Sequence, residues 1–205
     1  MTLSAEDRAR KIKIILFDVD GVMTDGGIWI IPVPVAEGGS VVTRMVEAKG
    51  YNAHDGTSIS LARIAGIKTG IITKRISETV ALRARDLKLD FVYQGQAFKM
   101  KPIREIVEKE GVTLDEIAYV GDDVIDLPAM RNVGLAIAVA DARENVKAEA
   151  HYITANRGGH GAARDAVEFI LQAQGKLEFA TNSYIDEENP IPASMDIGKG
   201  GDLLR

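Results

Sequence analysis

The feature that most constrains this chain is an alternation of short apolar runs with stretches of helical spacing. Residues 12–18 read IKIILFD, 68–73 read KTGIIT and 117–121 read IAYVG. β-Branched residues dominate these runs, which suits strands buried on both faces of a parallel sheet. Residues 91–93 and 134–139 are weaker runs of the same kind. Helical patterns cover 58–65, 77–87, 103–110 and 161–174. The third is framed by Pro102 before it and Gly111 after it, the usual asymmetry of helix start and stop. Strands alternating with helices predict an α/β fold, a three-layer Rossmann-like parallel sheet with helices on both faces. A chain of 205 residues suits a single domain, placed over 1–178, with one small insertion.

Residues 25–52 interrupt the alternation. They carry glycines, two prolines and two β-rich runs, GIWIIPVPV and SVVTRMVEA, which predict a β-hairpin with its turn near residues 37–40. The insertion follows the first strand, so it is expected as a flap or lid over the carboxyl edge of the sheet, where open α/β folds bind ligands. Trp29 in this flap reads as core or interface. Residues 179–205 are polar, rich in Pro, Gly and acid, and without periodicity, and read as a mobile or interface tail.

Composition excludes several classes of function. A net charge of -5 and 5% aromatic residues offer neither a basic stripe nor a stacking surface, so no nucleic-acid partner is expected. Without cysteine there is no disulfide, thiolate metal site or thiol nucleophile. The apolar runs are too short to span a bilayer, and the charged N-terminus is not a secretory signal, so no membrane partner and a cytoplasmic location are expected.

The chemistry is concentrated where strands end. Asp18 and Asp20 stand two apart as the first strand runs out, a spacing that points both to one side of an extended chain. Gly21 follows and allows a tight turn. Taken alone, Asp-x-Asp-Gly is also an ordinary way to end a strand. Asp122, Asp123 and Asp126 follow the strand at 117–121 and would meet the first pair at the same sheet edge. Two bare carboxylates ~4 Å apart repel by ~4 kcal/mol at an effective dielectric of about 20, a cost removed by protons or a cation. Oxygen ligands without His or Cys favour Mg²⁺. Thr73 ends a second strand, where it is either a phosphate-binding hydroxyl or a helix cap. Lys99 and Lys101 precede a helix, and either offers a charge to a phosphoryl oxygen. His54 and Asp55 precede a predicted helix start, as a cap or as substrate contacts. The glycines of 158–161 read as an anion-binding helix start or a plain turn.

In this order, with DVDGVMTDG at 18–26, HDG at 54–56, YQGQAFK at 93–99, AYVGDDVIDLPAM at 118–130, VGLAIAVADA at 133–142 and GGHGAARDAVEFILQAQGKL at 158–177, the chain resembles the cap-less branch of the haloacid dehalogenase superfamily over roughly residues 12–178. The resemblance implies a Mg²⁺-dependent phosphatase acting on a small sugar-acid phosphate, with 3-deoxy-D-manno-octulosonate 8-phosphate first, and so a place in lipopolysaccharide biosynthesis. A keto-deoxy-nonulosonate 9-phosphate or other sugar phosphate is the alternative substrate, and a non-catalytic oligomerisation module the alternative function. It implies Asp18 as nucleophile, Asp20 as general acid/base, and Asp18, the carbonyl of Asp20 and Asp122 as metal ligands. Thr73 and Lys99 become phosphate-binding residues, with Asp123 and Asp126 in support. Arg75 matches the arginine of the family's ITGR segment and is expected to meet the substrate carboxylate. His54 is a further expected substrate contact. A homotetramer is implied, in which neighbouring subunits complete each pocket. Two departures stand out: ITGR reads ITKR here, with Lys74 for glycine, and the flap is longer than is usual in the family.

Overall fold

The computed structural model describes residues 3–195. Its centre is β1 (Ile14–Phe17), whose four residues are all buried. Strands β4 (Lys68–Ile72), β5 (Phe91–Tyr93), β6 (Ile117–Gly121), β7 (Leu135–Ala138) and β8 (Tyr152–Ile153) join it in one parallel sheet. The strand order is β5-β4-β1-β6-β7-β8. The chain therefore builds outward from β1 on one side, then returns to β1 and builds outward on the other. Right-handed crossovers in opposite directions put their helices on opposite faces. The point of reversal, between β1 and β6, opens a crevice at the carboxyl ends of the strands. The expected architecture is borne out.

Helix α2 (Ala53–Ile64) packs on α7 (Ala162–Ala173), which also meets α1 (Ala5–Ala9). Helix α3 (Glu78–Asp86) links β4 to β5, and α4 (Met100–Glu110) links β5 to β6. Two short helices, α5 (Leu127–Met130) and α6 (Glu144–Lys147), complete the later crossovers. Among the described residues no helix is long and apolar enough to cross a membrane.

Three features depart from the sequence pattern. Helix α2 begins five residues earlier than the apolar spacing suggests, because the Asn52 side chain accepts from the His54 N–H and caps it. A helix α8 (Leu177–Ile185) crosses the boundary expected at 178. Its Leu177, Ala180 and Tyr184 share one face by spacing and pack on the core. Residues 196–205 of the expected tail lie outside the described residues.

The third departure is Trp29, in the flap. Strands β2 (Trp29–Glu37) and β3 (Ser40–Ala48) form the expected hairpin, turning through Gly38 and Gly39 at positive φ. They make a separate two-stranded sheet whose faces are largely exposed. Trp29 is 65% exposed, so in this chain it belongs to no core.

Candidate active site

The register of the central strands assembles the site. Phe17 pairs with Val120 across β1 and β6, and the Asp18 N–H continues the ladder to the Val120 carbonyl at 3.0 Å. The acids that follow both strands therefore leave the sheet side by side. After β1 the chain turns at once, with the N–H groups of Val22, Met23 and Thr24 all directed at the Val19 carbonyl. Gly21 stands in this turn at φ +89, and a Cβ there would lie 2.3 Å from Asp122 Oδ2. Glycine thus both permits the turn and lets the second acidic loop close on the first. Thr73 follows β4, its N–H bonded to the Tyr93 carbonyl at 2.9 Å.

The resulting cleft of about 420 Å³ is lined by Asp18, Asp20, Thr73, Lys74, Arg75, Asp122, Asp123 and Ile125. Lys99 and Asp126 form its buried floor. Lys101, the other candidate ammonium, is exposed. His54 is not brought to this cleft; it stands exposed in the first turn of α2. Lys74 occupies ordinary backbone space, since Lys88 is the one non-glycine described residue at positive φ.

On the floor, Lys99 Nζ sits 2.5 Å from Asp126 Oδ1 and 2.9 Å from Asp18 Oδ1. Asp126 is fully buried and saturated. The same Oδ1 accepts from the Tyr119 hydroxyl at 2.9 Å, and Oδ2 accepts from the N–H groups of Asp122 at 3.0 Å and Asp123 at 3.2 Å. A buried ion pair persists only when its remaining hydrogen-bonding capacity is met, as it is here.

Oxygens of Asp18, Asp122 and Asp126 lie within 4.8 Å of one another. Asp126 has none to spare. Asp18 Oδ1, which faces the Lys99 ammonium at 2.9 Å, and Asp122 Oδ1 are both buried with no further hydrogen-bond partner among the described residues. Burial pushes the Asp18 carboxyl up to about 6, with Lys99 opposing the rise and Asp126 adding to it. Burial, then the charges of Asp126, Asp18 and Asp123, push Asp122 up to about 8. Carboxyls raised in this way take up protons for want of a cation. The all-oxygen donor set suits a hard divalent ion.

Sequence reasoning named Asp55 and Arg75 but not the groups they meet, and missed Glu47 and Lys49. Asp55 is buried and does not cap its own helix. Its carboxylate accepts from the N–H groups of Gly161 at 3.2 Å and Arg164 at 2.9 Å, at the start of α7. The anion held by that helix start is therefore a side chain of the protein. Arg75, expected to meet a substrate carboxylate, instead places Nη2 2.6 Å from Glu47 Oε2. The Ser77 hydroxyl donates to Glu47 Oε1 at 2.6 Å. The Ser77 hydroxyl first, and Arg75 second, hold the Glu47 carboxyl below its ordinary range. Lys49 is ion-paired to Asp20. The signal available in sequence was two opposite charges, Glu47 and Lys49, two residues apart at the end of a β-rich run.

Comparison with known proteins adds to this geometry. A family model described as haloacid dehalogenase-like hydrolase matches residues 68–164. The 3-deoxy-D-manno-octulosonate 8-phosphate phosphatase of Escherichia coli is 38% identical over 178 residues, 87% of this chain and 89% of that protein. The crystal structure of the phosphatase of the same name from Yersinia pestis is 38% identical, covers 85% of this chain and 88% of its own, and gives a TM-score of 0.76. That from Moraxella catarrhalis, in complex with magnesium ion, phosphate ion and KDO, is 33% identical, covers 88% and 97%, and gives 0.78.

Proposed function

We propose, from the premise that this chain belongs to the haloacid dehalogenase-like hydrolases and is a phosphatase, that it hydrolyses a sugar-acid phosphate, 3-deoxy-D-manno-octulosonate 8-phosphate first, through an aspartyl phosphate. The observation that carries this reading is the placement of Asp18, Asp20, Thr73 and Asp122 around one cleft over the Lys99–Asp126 floor. The names of the relatives support the substrate class.

In the first step an Asp18 oxygen attacks phosphorus and the bond to the sugar oxygen breaks. Asp20 gives its proton to the departing alkoxide. The second step reverses the roles: Asp20, now a carboxylate, takes a proton from water, which attacks phosphorus and frees Asp18 and inorganic phosphate. Lys99, in contact with Asp18, fixes the nucleophile's direction and offsets charge beneath the transferring group. The Thr73 hydroxyl is placed to donate to a phosphoryl oxygen. Asp18, Asp122 and the carbonyl of Asp20 would hold Mg²⁺, which supplies charge neutralisation between nucleophile and phosphate. Catalysis of this kind rests on positioning and electrostatics.

The assembly we propose is a homotetramer built on the hairpin. Its strands carry exposed Ile30, Ile31, Val41 and Met45, and a two-stranded sheet of this length is marginal without a partner. The body from α1 through α8 forms a single domain around one core.

The test is release of inorganic phosphate from a panel of phosphorylated sugar acids, with and without Mg²⁺, beside an Asp18→Asn control. Turnover should need Mg²⁺, centre on the octulosonate 8-phosphate, and fall by about 10³ or more in the variant. Uniformly poor turnover across the panel refutes the sugar-acid assignment. Undiminished turnover by Asp18→Asn refutes the nucleophile.

A further inference from the structure

Lys49 has no part in the steps above, yet it touches one of their principal groups. It follows β3 directly, and its side chain has no solvent exposure although its backbone does. Its ammonium is paired with Asp20 Oδ1 and lies 3.6 Å from Glu47 Oε1. On the other side of Asp20, Arg75 Nε lies 3.7 Å from Oδ2. Glu47 ties both cations together, holding Arg75 at 2.6 Å and receiving the Ser77 hydroxyl at 2.6 Å. The two oxygens of Asp20 are thus flanked by cations whose places are set by one carboxylate at the root of the hairpin.

A buried ammonium cannot meet a substrate in the cleft. It reaches the reacting atoms only through Asp20, which is 22% exposed. A proton donor must stand within hydrogen-bond reach of the atom it protonates. A displacement of about 1 Å costs up to ~10²-fold in rate. Asp20 lies inside the turn after β1, one residue before Gly21 and outside any regular element, so its own backbone offers little to hold its side chain. We infer that Lys49, braced by Glu47, is a positioning residue that aims Asp20 at the leaving oxygen of the substrate. The hairpin root thereby belongs to the proton-transfer apparatus. This rests on the reading of Asp20 as proton donor.

The experiment exploits the leaving group. A sugar alkoxide needs a proton as it departs, whereas 4-nitrophenolate does not. Values of kcat/KM, which report the step that forms the phosphoenzyme, are measured on the sugar-acid phosphate and on 4-nitrophenyl phosphate for the full chain with Mg²⁺. Lys49→Met should lose about 10²-fold on the sugar phosphate and stay within about threefold on the nitrophenyl ester. Lys49→Arg, which keeps the charge, should recover most of the loss. Glu47→Gln keeps Lys49 but loosens its brace. It should show the same bias to a smaller degree, and it carries the test if Lys49→Met does not fold. Equal losses on both substrates, or no loss on either, overturn the inference. Asp20→Asn separates the two readings. If it shows the leaving-group bias and the Lys49 and Glu47 variants do not, the positioning role fails alone. If it slows both esters equally, the assignment of Asp20 fails with it.

Discussion

Replacing Asp122 by Asn should stabilise the metal-free protein while abolishing its activity. In the native chain Asp122 titrates at about 8 against an ordinary 3.8, because burial and three neighbouring carboxylates disfavour its charge. Between those values the folded state binds a proton that the unfolded chain does not. Stability without metal must therefore fall as pH rises, and the full cost is reached above the folded value. At about 1.36 kcal/mol per unit the ceiling is about 6 kcal/mol. Only the last ~1.5 units of that span lie above about pH 6.5, a part worth about 2 kcal/mol, which water at a partly exposed carboxyl reduces to about 1 kcal/mol. Asparagine carries no charge and brings an N–H donor to the side of the cleft where Asp18 Oδ1 lacks a further partner. The assay is urea unfolding in EDTA between about pH 6.5 and 9, a window above the value near 6 for Asp18, so that the slope belongs mainly to Asp122. Wild type should lose about 1–2 kcal/mol across it and the variant much less. Added Mg²⁺ should reverse the ranking, since only a native state that binds the ion gains from it. Equal stability of the two proteins at the alkaline end, without metal, would refute the electrostatic reasoning.

Three further outcomes follow from packing. Gly158→Ala would set a Cβ 1.8 Å from the Gly21 carbonyl oxygen, an overlap with backbone that no rotamer relieves. A loss of about 2 kcal/mol or more by thermal unfolding, and a fall in kcat as the Asp18–Gly21 loop shifts, are expected. Asp126→Ala leaves a buried ammonium with one partner and two loop N–H groups with none. It should cost about 3–5 kcal/mol, and a urea midpoint within error of wild type would contradict the role given to the floor. Met45→Glu, on a residue 71% exposed in the hairpin, should leave the fold intact by circular dichroism and lower the mass measured by light scattering. An unchanged mass would remove the hairpin from the interface.

The parallel sheet was legible because its central strands are buried on both faces, and such strands announce themselves as unbroken apolar runs. The acids of the cleft were legible for a related reason, since register carries the ends of β1 and β6 to one place. What stayed hidden depends on contacts between distant segments. Nothing near Asp55 in sequence reveals that its carboxylate serves a helix more than a hundred residues later. Nothing near Arg75 announces Glu47. The start of α2 was obscured by glycine and polar residues in its first turns, where the cap at Asn52 outweighs weak propensity. Helix α8 was hidden because its apolar residues are not gathered on one face: Leu177, Ala180 and Tyr184 meet the core while Phe179 and Ile185 are exposed.

The hairpin departs from the body between β1 and α2 and shares no ladder with the main sheet. Matched residues can therefore be added or removed at its Gly38–Gly39 tip without disturbing any strand of the core. Glu47 and Lys49 lie at the opposite end, so such changes leave them in register with the body. Selection is free to remodel what the tip encounters, whether another subunit or a bulkier sugar, while the chemistry beneath is inherited unaltered. The same separation gives an engineer a handle, since tips could be exchanged between relatives to change assembly and ligand range independently of turnover.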